Sequence, residues 1–227
     1  MHYREFIDKS CPRTKAESCS CESIKTLSEQ ASDIKAFVEL QHSDKVKGTI
    51  LLMQKPGTPT MIKGRIEGLT PGEHGFHIHT YGDLTDGCDS ACAHFNPDNT
   101  EHGGLDSKIR HLGDLGNISS EKGVSKGRIS TDTLSLVLGK RNGIVGRMII
   151  VHADPDDLGK GGLNQEGEVI DEKVHEESLK TGNAGKRVAC GVIGLAKGEV
   201  KCADDSKSVL PALIGASIGG LIGYKLG

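Results

Sequence analysis

Tryptophan is absent from this chain of 227 residues, and aromatic residues of every kind make up only 3% of it. A composition that poor in aromatics and holding 31 glycines suits a turn-rich β protein. Neither sign of charge dominates: 28 Lys and Arg stand against 31 Asp and Glu, a net charge of -3, which argues for neither a nucleic-acid partner nor an acidic one. Residues 1–32 lack the apolar core of a secretory signal, which points to the cytoplasm. No internal repeat is visible, and no long helical period runs through residues 33–196. A hydrophobic content of 35% is enough for one good core with appendages.

What the chain does have is histidine in a pattern. His77 and His79 stand two apart in Gly75-Phe76-His77-Ile78-His79, so on a strand both imidazoles leave one face while Phe76 and Ile78 leave the other. His152 ends the β-branched run Met148-Ile149-Ile150-Val151, which reads as a buried strand. Between them His94, His102, His111 and Asp114 lie among glycines, prolines and asparagines, in loop chemistry able to wrap round an ion. Three histidines and an aspartate suit tetrahedral zinc, whereas an all-imidazole set suits copper as well as zinc, so ligand type alone does not choose the metal. Two four-coordinate sites need more places than these seven side chains supply. Either one histidine serves both ions through its two ring nitrogens, or a water fills a place. His2, His42, His74 and His175 show no partner pattern and read as ordinary polar residues.

The segments Gly75-Phe76-His77-Ile78-His79, His94-Phe95-Asn96-Pro97, His102-Gly103-Gly104, Arg110-His111-Leu112-Gly113-Asp114-Leu115-Gly116-Asn117, Asp157-Leu158-Gly159-Lys160-Gly161-Gly162 and Thr181-Gly182-Asn183-Ala184-Gly185 resemble the copper/zinc superoxide dismutase family, in that family's order. The resemblance implies an all-β, eight-stranded Greek-key barrel of the immunoglobulin-like sandwich kind. Runs at 34–40, 47–53, 61–67, 134–138 and 147–151 read as its strands. It also implies copper on His77, His79, His94 and His152, and zinc on the shared His94 with His102, His111 and Asp114. The implied reaction is dismutation of superoxide to oxygen and hydrogen peroxide by alternating reduction and oxidation of copper. Asp156 takes the place of a carboxylate that joins a copper-side imidazole to a zinc-side one. Arg187 takes the place of an arginine that attracts the small anion. Glu176, Glu177, Lys180 and Thr181 align with a loop whose charges steer superoxide, for which the enzyme is a standard example. Cys88 and Cys190 match an intrasubunit disulfide. Tyr81, Gly82, Val145 and the stretch from Gly191 to Leu195 match a homodimer interface.

The chain departs from that pattern in places. Residues 163–174 are an insertion rich in acid, with Glu166, Glu168, Asp171 and Glu172 against Lys173, and negative charge near the mouth would slow anion capture unless the insertion points away. Leu105 stands where the family usually has proline, and Cys92 is an additional thiol close to Cys88. Outside the family-like domain, residues 33–198, lie two appendages. Residues 1–32, with Cys11, Cys19 and Cys21, are expected to form a disordered arm. Residues 199–227 are a linker and a tail whose segment 208–224 carries no charge, with Gly215, Gly219 and Gly223 at intervals of four, suited to membrane or self-association. Cys19-Ser20-Cys21 raises a different class of function, copper delivery or metal storage on the same barrel. The missing chaperone-type front domain and the full ligand set weigh against it.

Overall fold

The computed structural model describes residues 33–41 and 45–196. The expected arm, the tail at 208–224, His2, His42 and Cys11, Cys19 and Cys21 lie outside the described residues. Among the described residues no helix is long and apolar enough to cross a membrane.

Alternation makes the first sheet. In β1 (Ile34–Leu40) Ala36, Val38 and Leu40 point inward, and β2 (Lys47–Gln54) and β3 (Thr60–Glu67) repeat the pattern with Ile50 and Leu52, then Ile62 and Ile66. The second sheet holds β4 (Gly72–His79), β5 (Asp114–Ser120), β7 (Met148–His152) and β8 (Arg187–Val192), while β6 (Val124–Thr131) and the two-residue β9 (Gly194–Leu195) complete the first. Strand order is β6-β3-β2-β1-β9 in one sheet and β5-β4-β7-β8 in the other, with every pair antiparallel.

Two features join the sheets. Glu121 and Val124 close a tight hairpin from β5 to β6, and Gln41 bridges Cys190 where β8 runs past Ile193 into β9. With β8 and β9 taken as one interrupted strand, the circuit β1, β2, β3, β6, β5, β4, β7, β8 is an eight-stranded Greek-key flattened barrel. Its core is aliphatic, as the scarcity of aromatics requires, with Leu40, Leu52, Ile78, Ile149 and Ile193 among the fully buried side chains. Each such burial contributes about 1.5–3 kcal/mol relative to exposure.

Residues 134–138, read from sequence as a strand, join neither sheet. Leu134 and Leu136 plug the core, and the segment is held by the Gln54 side chain, whose Oε1 accepts from Leu136 N at 2.8 Å and from Ser135 Oγ at 3.3 Å. Alternation there reports burial without a ladder. A helix also appears where no helical period was read, α1 (Glu172–Thr181), capped by Asp171, which accepts from Val174 N, and ended by Gly182 in the left-handed region. Its ten residues sit in a loop between β7 and β8, so the fold remains all-β.

Outer-face burial distinguishes the second sheet. Both faces of β4 from His74 onward and all of β7 are buried, because the segments 80–113 and 153–186 fold over the outer face. The disulfide Cys88–Cys190 closes a separation of 102 residues, and Cys88, Ala91, Met148, Ile150 and Cys190 form a small second core beneath that cover. Closing a loop of that size is worth about 4–5 kcal/mol in the chain-entropy model.

Candidate metal centre

Two bulges aim the strand histidines. The β4–β5 register shifts between Gly75 and His77, and the β7–β8 register shifts between Val151 and His152, so both strands bend where they present an imidazole. His94 is brought to them by a ladder of single bonds: Phe95 N donates to Ile78 O at 2.8 Å, Gly113 N to Phe95 O at 2.9 Å and Ile78 N to Gly113 O at 2.8 Å.

The result is two buried clusters that share one residue. Donor atoms of His77, His79, His94 and His152 all lie within 4.8 Å of one another, and so do those of His94, His102, His111 and Asp114. Every one of these residues is buried. Asp114 organises the second cluster: Oδ1 lies 2.8 Å from His94 Nδ1 and 3.2 Å from His111 Nδ1, and Oδ2 lies 3.0 Å from His102 Nδ1. The backbone N–H groups of His111 and Gly103 donate to Oδ2 at 2.8 and 3.1 Å and fix the carboxylate.

In the first cluster, partners decide which nitrogen stays open. His77 Nε2 donates to Asp156 Oδ2 at 2.8 Å, His79 Nδ1 to Cys92 O at 2.7 Å, and His152 Nδ1 to Gly185 O at 3.1 Å. Each imidazole that gives its proton outward keeps a lone pair on the other nitrogen. Those other nitrogens, His77 Nδ1, His79 Nε2 and His152 Nε2, are buried without any hydrogen-bond partner. Orphaned buried nitrogens are costly unless something binds them. A cation that accepts nitrogen lone pairs fits this set.

Electrostatics agree with the geometry. Burial, reinforced by the neighbouring His94, pushes His77 down to about 3, and burial pushes His152 down to about 4. Burial also lowers His79 and His94. These rings are neutral at pH 7, the form that ligates. For His102 burial acts downward, but hydrogen bonds to Asp114 and Asp156 outweigh it and raise the group to about 9. Burial would raise Asp114 and Asp156, yet their histidine partners hold both well below the usual carboxylate range. The second cluster therefore concentrates negative charge with a proton that a dication would displace.

Asp156 links the clusters, because its Oδ1 accepts from His102 Nε2 at 2.8 Å while Oδ2 takes His77. It is itself pinned by Asn117, whose Oδ1 accepts from Asp156 N at 2.8 Å and whose Nδ2 donates to Asp156 O at 2.8 Å. Gly182, at φ +68, passes so close that a Cβ would lie 2.1 Å from Asp156 Oδ1.

Among the described residues, a cavity opens onto the first cluster. A cavity of about 330 Å³ is lined by His79, His94, His152, Lys180, Thr181 and Arg187, among others, and by none of His102, His111 and Asp114. Arg187 is held there by carbonyls: Nη1 donates to Cys88 O at 2.6 Å and Asp89 O at 3.2 Å, and Nη2 to Cys92 O at 2.6 Å. Glu177 also lines the cavity, with Oε1 accepting from Thr181 Oγ1 at 2.8 Å. Glu176 does not line it. Nor does any residue of the acidic insertion 163–174, which forms a small hairpin bridged at Leu163 and Val169 and then enters α1. The insertion therefore contributes no wall to the cavity, although the helix it leads into does, through Glu177, Lys180 and Thr181.

The structure thus brings together every histidine of the pattern, with Asp114, Asp156 and Arg187. His74 stays outside both clusters, buried between His152 O and Thr70 O, each 2.9 Å from a ring nitrogen, and His175 lies 3.0 Å from Gly161 O. Asn117 and Gly182 stand in the family-like motifs of the sequence without a role attached to either, and the carbonyls of Cys92 and Gly185 were not foreseen. Backbone carbonyls carry no residue signature, and an asparagine that grips a distant aspartate looks like any turn asparagine.

Comparison with other proteins points one way. The model of the copper/zinc superoxide dismutase family matches residues 46–193. A superoxide dismutase [Cu-Zn] of Paramecium bursaria Chlorella virus 1 is 53% identical over 153 residues, which cover 67% of this chain and 74% of that protein. The crystal structure of the clock protein EA4 superposes with a TM-score of 0.63 at 40% identity, covering 71% of this chain and 94% of that one.

Proposed function

The chain belongs to the copper/zinc superoxide dismutase family, and from that premise we infer that His77, His79, His94 and His152 hold the copper and that His94, His102, His111 and Asp114 hold the zinc. The protein is an oxidoreductase that dismutates superoxide to oxygen and hydrogen peroxide. The observation that carries the ligand assignment is the partition of the ring nitrogens: three orphaned in one cluster, and His94 Nδ1 turned to Asp114 in the other. That leaves His94 Nε2 for the first cluster.

Bound copper supplies one-electron redox chemistry, and bound zinc a fixed positive charge on the shared imidazole. The chain's own residues supply the rest. Arg187 presents a guanidinium at the cavity wall, immobilised by three carbonyls, where it attracts and hydrogen-bonds a small anion. Lys180 adds a second positive charge to the same wall, while the Glu177 carboxylate is turned onto Thr181. Asp156 and the carbonyls of Cys92 and Gly185 hold the protons of His77, His79 and His152 on the outward nitrogens, which fixes each ring's tautomer. Nε2 of His94 is the ring atom able to take and return a proton without disturbing the contact of Nδ1 with Asp114.

A homodimer accompanies this reading. Tyr81 and Leu195 are large side chains left more than half exposed, Leu195 on the two-residue β9 that ends the first sheet. Together with Gly82, Val145 and the stretch from Gly191 to Leu195 they form the proposed interface.

Superoxide decay followed after pulse radiolysis, with protein loaded with both metals, tests the assignment. Fast decay that His152→Ala abolishes at unchanged zinc content is the expected result. Equal rates in the two proteins would remove His152 from the copper set.

A further inference from the structure

A second cavity, of about 510 Å³, shares Arg187 with the cavity at the metal centre and is the larger of the two. Its size falls within the range that small organic ligands occupy. The floor is apolar: Val46 and Leu69 are buried members of the core, and Val188 packs against that core. The imidazole inside is already engaged, because the ring nitrogens of His74 lie against His152 O and against Thr70 O.

The rim differs. Lys45 and Lys186 line the cavity and form no ion pair among the described residues, against a single acidic neighbour, Asp154. The position of Lys45 is built in. Gly68 has φ +87, and a Cβ there would lie 1.7 Å from Lys45 O, so only glycine lets this segment close over the cavity edge. An apolar floor under unpaired cations selects against three kinds of occupant: a bare inorganic anion, a neutral lipid and a cation.

We propose that this cleft binds a small amphiphilic anion, an aliphatic chain ending in a carboxylate. The chain lies on Val46, Leu69 and Val188, and the carboxylate meets Lys45 and Lys186 at the rim. The site shares Arg187 with the cavity that captures superoxide, so its occupancy is read by binding and not by the dismutation rate.

The probe is dodecanoate, below its micelle concentration, titrated calorimetrically into the full-length, metal-loaded protein. Saturable one-to-one binding is expected, with methyl NMR shifts at Val46, Leu69 and Val188. Reversing both rim charges, Lys45→Glu with Lys186→Glu, is expected to weaken binding by about tenfold. Both residues are at the surface rim, so the fold survives. Dodecyltrimethylammonium binding as tightly as dodecanoate would overturn the proposal, as would methyl shifts confined to other parts of the chain. Acetate displacing dodecanoate at equal concentration would also overturn it, because the apolar floor would then add nothing to binding.

Discussion

His77 and His102, on opposite sides of the shared centre, donate to the two oxygens of one carboxylate: Asp156 Oδ2 lies 2.8 Å from His77 Nε2 and Oδ1 lies 2.8 Å from His102 Nε2. Neither ring can turn without releasing the same anion. Asp156→Ala therefore loosens one ligand in each cluster, His77 in the first and His102 in the second. Zinc affinity is expected to fall by about 10–100-fold, measured by competition with a chromophoric chelator. Asp156→Asn keeps one acceptor oxygen and should recover part of the loss. Wild-type zinc affinity in the alanine variant would show that Asp156 orients nothing.

Cys92 adopts φ 64 and ψ -148, a region that is essentially reserved for glycine. The residue's carbonyl is what the site uses, accepting from both His79 and Arg187, while its thiol is exposed and free. Cys92→Gly removes a strain of about 1–3 kcal/mol and adds about 0.4–1 kcal/mol of unfolded-state entropy, for a net gain near about 1 kcal/mol. Urea unfolding of the oxidised, metal-free protein measures it. Loss of stability would mean that the thiol makes a contribution larger than the strain.

Much of this centre is legible in the sequence because strand periodicity carries it. The alternation at Phe76-His77-Ile78-His79 predicts which side chains meet, and the buried run before His152 predicts the strand that pairs with β4. Other parts are legible only through the family likeness, since nothing local distinguishes Asp156 from its neighbours Asp154 and Asp157. What stays hidden is either backbone chemistry, as with Gly185 O, or burial without pairing, as with Leu134 and Leu136. The helix α1 was hidden for a further reason: Ser178 is its one buried residue, so no apolar stripe marks it.

The acidic hairpin supplies a control on electrostatic steering. Glu166 and Glu168 are exposed, their segment lines no part of the metal-centre cavity, and Glu168 is tied to Asn164 at 3.1 Å. Charges of this kind are largely screened beyond about 8–10 Å at ordinary ionic strength. Glu166→Gln with Glu168→Gln is expected to leave the rate of superoxide capture at physiological salt within about twofold of wild type. Lys180→Gln, which removes a charge from the cavity wall, is expected to slow it and flatten its salt dependence. A marked acceleration by the double glutamine variant would place the hairpin at the mouth.

The metal-free protein should be most stable near about pH 6.5, and the sign follows group by group. His77 and His152 are lowered to about 3 and about 4, chiefly by burial, so on unfolding each takes up a proton that the fold refuses. Their contribution is complete above the ordinary histidine pKa and is lost as pH falls through those lowered values, at up to about 1.4 kcal/mol per pH unit for each group. His102 runs the other way. Burial opposes its charge, but Asp114 and Asp156 raise it to about 9, so its contribution is complete below the ordinary value and is lost as pH rises toward 9. Urea midpoints of metal-stripped, disulfide-intact protein across this range check the dome, and a maximum displaced to the alkaline side would contradict the protonated state of His102. Zinc provides the internal control: it takes the place of the His102 proton, so loading it should abolish the alkaline decline.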